Sequence, residues 1–247
     1  MREEEIVTGI ILYTSLVGEY DKRLVILTRE RGKITVFANG ARRPNSTFRA
    51  ASQSFVMGNF TVKPGREAYN LIKVDVREYF SELALDMEKM CYASYFCEFM
   101  SYYTREGDMC TDNLNLLYLT FRALIEEKMP VQLIRNVYEQ RLMQIEGQGI
   151  FISECIKCKK KAEKYYFDEK SGGIVCEKCA ALHNIKRKIS GTVLYALYFV
   201  ASSPLEKIYT FTLTEEAVSE FSIIISSFRK EYVDRNFKSL EILSTLS

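Results

Sequence analysis

The sequence predicts an α+β chain of more than one domain: a small N-terminal β-barrel or sandwich, then a helical domain carrying a four-cysteine ribbon. Three observations predict this. Up to about residue 80, apolar residues recur with a period near two, in short runs separated by turn signals. Beyond that point the spacing becomes helical. Residues of about 150–188 interrupt the helices with Cys155, Cys158, Cys176 and Cys179 among glycines and lysines. The expected boundaries are a β domain over residues 1–80 and a helical domain over residues 81–247.

Five runs justify the β domain: "IVTGIILYTSLV", "KRLVILTRE", "GKITVFANG", "SQSFVMGNFTVKPG" and "EAYNLIKVDVREYF". Gly58 inside the fourth marks a bulge or bend, and Pro64–Gly65 a turn. A first helix is expected from a Ser81 cap to Gly107, with Leu83, Met87, Met90, Tyr95, Phe96, Phe99 and Tyr102 along it. Thr111 is expected to cap a second helix and Pro130 to open a third over residues 131–146. After the ribbon, Ser190 caps "GTVLYALYFVAS" and Thr214 a last helix through residue 237.

Composition bounds the function. With 47% apolar and 27% charged residues the chain can build a core and is not disordered. No window has the roughly 18 apolar residues of a membrane span, and "MREEEIVTG" is not a secretory signal. A cytoplasmic location and no membrane partner are expected. Net charge is only +2, but its distribution is uneven. Lys22, Arg23, Arg29, Arg31, Lys33, Arg42, Arg43 and Arg49 stand against Glu30 alone, an island of +7. Residues 155–188 hold ten basic residues against four acids, an island of +6. One charge run is usually a solvated face, but two islands in an otherwise acidic chain point to polyanion binding.

The four cysteines form "CIKC" and "CEKC", seventeen residues apart. Each knuckle brings two thiolates to one ion, and two knuckles complete a tetrahedron of soft ligands suited to Zn²⁺. A closed shell leaves no position for a reacting water, so one structural zinc per chain is expected. The lysines around it, Lys157, Lys159, Lys160 and Lys161, either contact polyanions or offset the charge of the centre. Cys91, Cys97 and Cys110 read as small buried residues. One histidine, His183, leaves little room for nucleophilic triads, and no phosphate loop, dinucleotide fingerprint or H-E-x-x-H occurs. Nothing nominates an enzyme.

A small five-stranded barrel with basic loops and surface aromatics suits single-strand binding. Arginines fork onto phosphates. Among the nearby aromatics, Phe37 and Phe55 are expected in the core and Phe48, set among polar residues, as the stacking side chain.

The segments "GEYDKRLVILTRERGKI" and "ANGARRPNSTFRAASQSF", the cysteine ribbon and the ending "NFKSLEIL" together resemble the bacterial DNA repair and recombination mediator family RecO. The resemblance spans essentially the whole chain. It implies an N-terminal OB-fold barrel, a helical domain with a zinc motif, and binding of single- and double-stranded DNA. It further implies strand annealing and the loading of RecA, with RecR and sometimes RecF, onto DNA coated by single-strand binding protein (SSB), whose acidic C-terminal tail is a partner. Members are not nucleotide hydrolases, and a nucleoid-associated cytoplasmic location follows. Lys22, Lys33, Arg42, Arg43 and Arg49 match basic positions of the family, and with Arg23 they form the expected DNA-contact set. Cys155, Cys158, Cys176 and Cys179 match its zinc motif. Asn45 and Thr47 stand where many relatives carry a further basic residue.

Two rivals come from other classes. An adaptor would use the basic islands to grip acidic tails of partner proteins. A zinc-dependent hydrolase would require an open metal site.

Overall fold

The computed structural model describes the backbone of residues 3–246 and the side chains of residues 3–243. It divides into two compact units: residues 3–121 with 237–246, and residues 122–236.

In the first unit, β1 (Glu5–Val17), β2 (Asp21–Thr28), β3 (Gly32–Ala38), β4 (Met57–Pro64) and β5 (Tyr69–Glu78) close into a barrel of order β1-β2-β3-β5-β4. Every pairing is antiparallel except β3 with β5, which run parallel where Val36 meets Tyr69 and Phe37 meets Asn70. A short helix, α1 (Phe48–Ala51), lies between β3 and β4. This is the OB-fold, as the resemblance implies.

The pleat sorts the side chains. Along β3, Ile34, Val36 and Ala38 point inward while Lys33, Thr35 and Phe37 alternate outward. Leu24 and Ile26 from β2 and Phe60 and Val62 from β4 complete the interior. Full burial of each such side chain is worth about 1.5–3 kcal/mol. Curvature needs small residues: the β4–β5 register shifts between Met57 and Gly58, and a Cβ at Gly58 would stand 2.5 Å from the Asp75 carbonyl.

Helix α2 (Met87–Tyr103) starts later than its sequence suggests. Ser81–Ala84 forms only a 3₁₀ turn, and the working cap is Asp86, whose side chain accepts from the Lys89 N–H at 2.9 Å. Beyond α2, residues 105–110 bond to the β2–β3 hairpin. Lys33 N–H donates to the Arg105 carbonyl at 3.0 Å, and Gly107 N–H to that of Arg31 at 2.9 Å. The contact is so close that Gly32, at φ +65°, has no space for a Cβ. Helix α3 (Thr111–Glu126) takes Thr111 as its first residue, and the Cys110 carbonyl accepts from Leu114.

In the second unit, α4 (Val131–Ile145), α6 (Gly191–Ser202) and α7 (Glu215–Tyr232) pack together. Ser190 and Thr214 cap α6 and α7 as expected, accepting from Val193 and Ala217. Glu139 is fully buried between Arg135 at 2.6 Å and Arg229 at 3.2 Å. Arg141 reaches the final carbonyls of α6, donating to Ala201 at 2.7 Å and Val200 at 3.1 Å. Between α4 and α6 sits the ribbon: β6 (Tyr165–Asp168), β7 (Gly173–Cys176), a short α5 (Glu177–Leu182) and β8 (Lys188–Ile189), ordered β7-β6-β8.

The last helix is not one helix. Val233 is extended and stops α7, and Phe237 inserts edge-on between Tyr95 and Phe99 of α2, with centroids 5.6 and 5.3 Å away. A further helix, α8 (Lys238–Leu246), then packs on α2 in the first unit.

Candidate nucleic acid and metal sites

The expected DNA-contact residues fall into two classes. Arg23, Arg42, Arg43 and Arg49 are exposed and make no ion pair among the described residues. Arg42 is nevertheless oriented: its Nη1 donates to the Glu19 carbonyl at 2.8 Å, and its backbone N–H to that of Tyr20 at 2.9 Å. Arg43 lies over the Tyr20 ring, 5.4 Å from the centroid. Arg49 projects from α1, and Arg23 sits across from Phe37 on the outer face of the barrel. The β1–β2 turn thus orients two of the arginines without neutralising them, and a pre-oriented guanidinium loses less freedom when it binds an anion.

Lys22 and Lys33 are placed differently. Lys22 is buried, and its Nζ donates to the Ser52 carbonyl at 3.2 Å. Burial first, and the nearby charge of Arg42 second, hold its ammonium below the ordinary lysine range. The Lys33 Nζ donates to the Ser101 carbonyl, and to the Ser101 hydroxyl at 3.1 Å. Both lysines add positive field at the barrel while their ammonium groups serve the fold.

Two of the three aromatics reverse the expectation. Phe48 packs against the barrel core and does not stand free in the loop. Phe37 is half-exposed on the outer face beside Arg23, in place of the core position assigned to it. Phe55 is buried as expected, edge-on to Phe121. Parity along β3 carried the signal: Phe37 shares its face with Lys33, and Ile34 and Val36 take the other. Tyr20 escaped sequence reading because its role depends on Arg43 folding back over it.

The ribbon brings all four predicted cysteines together. Their sulfur atoms lie within 4.8 Å of one another, and the Cys158 and Cys176 sulfurs are 3.8 Å apart. A tetrahedral site with Zn–S of about 2.3 Å has edges of about 3.8 Å, so this donor set fits Zn²⁺. The backbone builds the knuckles: Cys155 N–H donates to Lys160 at 3.0 Å and Lys159 N–H to Cys155 at 2.8 Å. Crowding splits the thiols. Burial opposes ionisation of Cys155, but the N–H groups of Cys158, Cys176 and Lys157 outweigh it and bring it down to about 6. Cys179 is pushed up to about 12, first by its hydrogen bond with Cys176, then by burial. A divalent cation removes that conflict by favouring every thiolate at once. His183 is exposed and outside the cluster, while Cys91, Cys97 and Cys110 are buried. Among the described residues no helix is long and apolar enough to cross a membrane.

Comparison with known proteins agrees with both halves. Residues 1–80 match the family model "Recombination protein O N terminal", and residues 84–241 match "Recombination protein O C terminal". Curated relatives align over nearly full length. The DNA repair protein RecO of Acetivibrio thermocellus is 28% identical over 97% of this chain and 96% of its own. That of Clostridium perfringens strain 13 is 31% identical over 95% of each. The RecO protein of Alkaliphilus metalliredigens is 28% identical over 95% of this chain and 96% of its own. An OB-fold barrel, a helical segment and a four-cysteine cluster in this order, matched along almost the whole length, make this chain a member of the RecO family of DNA repair proteins.

Proposed function

We propose that this chain is a non-enzymatic recombination mediator that binds single- and double-stranded DNA and anneals complementary strands. The carrying observation is the set of exposed arginines on the OB-fold barrel that make no ion pair among the described residues: Arg23 across from Phe37, Arg42 and Arg43 at the Tyr20 turn, and Arg49 on α1. The domain over residues 1–80 is the DNA-binding part. Its arginines bind phosphates and displace counterions, so affinity falls steeply with salt and depends little on sequence. Lys22 and Lys33 strengthen the field from behind. Two strands held on positive surface repel each other less and pair faster.

The four-thiolate site holds one structural zinc, through Cys155, Cys158, Cys176 and Cys179, and supplies no catalytic step. Family membership supports RecR and the SSB tail as protein partners in loading RecA, and a nucleoid-associated cytoplasmic location. Annealing of complementary oligonucleotides against salt concentration tests the DNA reading. Replacing Arg42, Arg43 and Arg49 together by alanine should slow annealing and flatten its salt dependence. Unchanged annealing in that variant removes the barrel from the mechanism. Retention on SSB that survives deletion of the acidic tail argues against the tail as the partner element.

A further inference from the structure

The ribbon has its own basic surface, and its cations are not all alike. Lys157 is bound to Asp168 at 3.1 Å and to the Ser171 hydroxyl at 2.6 Å. Lys159 lies 4.6 Å from the centroid of Phe151, and Arg187 pairs with Glu169 at 2.7 Å. These three serve the ribbon itself. Lys160, Lys161, Lys164 and Lys178 do not. They line an open cleft of about 470 Å³ beside Cys158, Cys176 and Cys179, and are exposed. None of the four makes an ion pair among the described residues, although Glu163 and Glu177 line the same cleft.

Offsetting the metal centre does not consume this charge. A Zn²⁺ ion with four thiolates carries a net −2, so the +6 of residues 155–188 falls only to +4. The cleft is also anchored. The Lys160 carbonyl accepts from Cys155, and the Ala162 N–H donates to the Tyr165 hydroxyl at 2.8 Å. Lys178 stands on α5 next to the ligand Cys179. The metal knuckles therefore set where the lysine stems begin. No aromatic ring lines the cleft, so it has no platform for stacking a base.

We propose that this cleft is a second DNA site, which grips backbone phosphates and does not distinguish single strands from duplex. It rests on the reading that the chain binds DNA, and extends it: one strand on the barrel and a second on the ribbon give the two-strand occupancy that annealing needs. The aromatic-bearing barrel favours unpaired bases, and the ribbon takes whichever backbone arrives.

The test uses the full chain with Lys160, Lys161, Lys164 and Lys178 all changed to glutamine, and in a second variant all changed to arginine. Binding to a single strand and to its duplex is measured across salt, with zinc content determined on each protein. Each phosphate contact contributes about 0.9 to the slope of log affinity against log salt on duplex and about 0.7 on a single strand. The glutamine variant should lose about 2–4 of slope on duplex, keep its zinc, and recover in the arginine variant. An unchanged slope overturns the site. So does zinc loss at unchanged slope, which would make the lysines a counter-charge for the centre. A lost slope that arginine does not restore overturns it too. If the unaltered chain binds no DNA, the proposed function itself fails; if it binds with lysine-independent slope, only the ribbon site does.

Discussion

The two basic islands are close in charge, +7 and +6, and opposite in construction. In the barrel five of the eight cations are already held: Lys22 by Ser52, Arg31 by Glu5, Lys33 by Ser101, Arg42 by backbone carbonyls, Arg43 by Tyr20. In the ribbon the four cleft lysines make no ion pair among the described residues, and the cysteine knuckles set where their stems begin. The barrel's interior is a continuous core, whereas the ribbon's central cluster buries Cys155, Val175 and Ala180 and leaves Ile156, Tyr166, Ile185 and the other three cysteines half-buried around them. One island is thus organised by packing, the other by the four-cysteine cluster. Aromatics divide the same way, present at the barrel and absent from the ribbon cleft. Charge counts alone would have made the two islands equivalent.

Removing a ligand should separate them most sharply. Cys155→Ser takes away the fully buried thiolate, and structural zinc sites in small peptides contribute about 10–16 kcal/mol of binding free energy at neutral pH. Hydrogen exchange should show residues 150–188 losing protection while β1–β5 keep theirs. Retained protection across the ribbon in metal-free protein would mean that packing holds it, and the contrast with the barrel would collapse.

The next effect is on the barrel alone. Replacing Arg42, Arg43 and Arg49 by alanine should reduce the single-strand salt slope by about 2, at about 0.7 per phosphate contact. The fold should be unaffected, because the three side chains are exposed. A smaller effect belongs to Phe37. Stacking on an aromatic is worth about 1–3 kcal/mol per base, and Phe37 is half-covered, so Phe37→Ala should cost about 1 kcal/mol on single strands. Duplex binding should be unmoved, since paired bases cannot stack there. Equal losses on both substrates, in parallel titrations, would place Phe37 in the fold and leave the base platform elsewhere.

These contrasts were only partly legible in the sequence. The strands, the ribbon and the clustering of its four cysteines were, because period-two alternation and paired knuckles are local signals. Gly58 declared its bulge for the same reason. What local pattern could not carry was the choice between a residue and its neighbour. Ser81 and Asp86 are both good caps, but Ser81 opens only a 3₁₀ turn and the α-helix begins after Asp86. The helical run into residue 237 breaks because Phe237 is drawn into the Tyr95–Phe99 cluster on α2, more than a hundred residues earlier. Phe48 looked free because its neighbours are polar, yet the barrel core takes its ring. Lys22 looked like surface for want of any local sign of Ser52.

Lys22 also yields the finest test. Its folded-state pKa lies below the ordinary value of 10.5, chiefly through burial and then through Arg42. The folded chain therefore binds that proton more weakly than the unfolded chain. Below the folded value both states are protonated, and the folded state bears the full cost of the buried charge. As pH rises from the folded value toward 10.5 the proton leaves the folded state first, and the cost is relieved. Wild-type stability relative to Lys22→Met should accordingly increase over that alkaline window and be flat near neutrality. Lys161→Met, on an open ribbon lysine, should show no such rise. Denaturant unfolding of the three proteins between neutral pH and about 10.5, the ordinary lysine range, gives the comparison. A flat difference for Lys22 would mean that water reaches its ammonium. The barrel would then keep its charge as openly as the ribbon does, and the Lys22 ammonium would be as accessible to an anion as the exposed arginines.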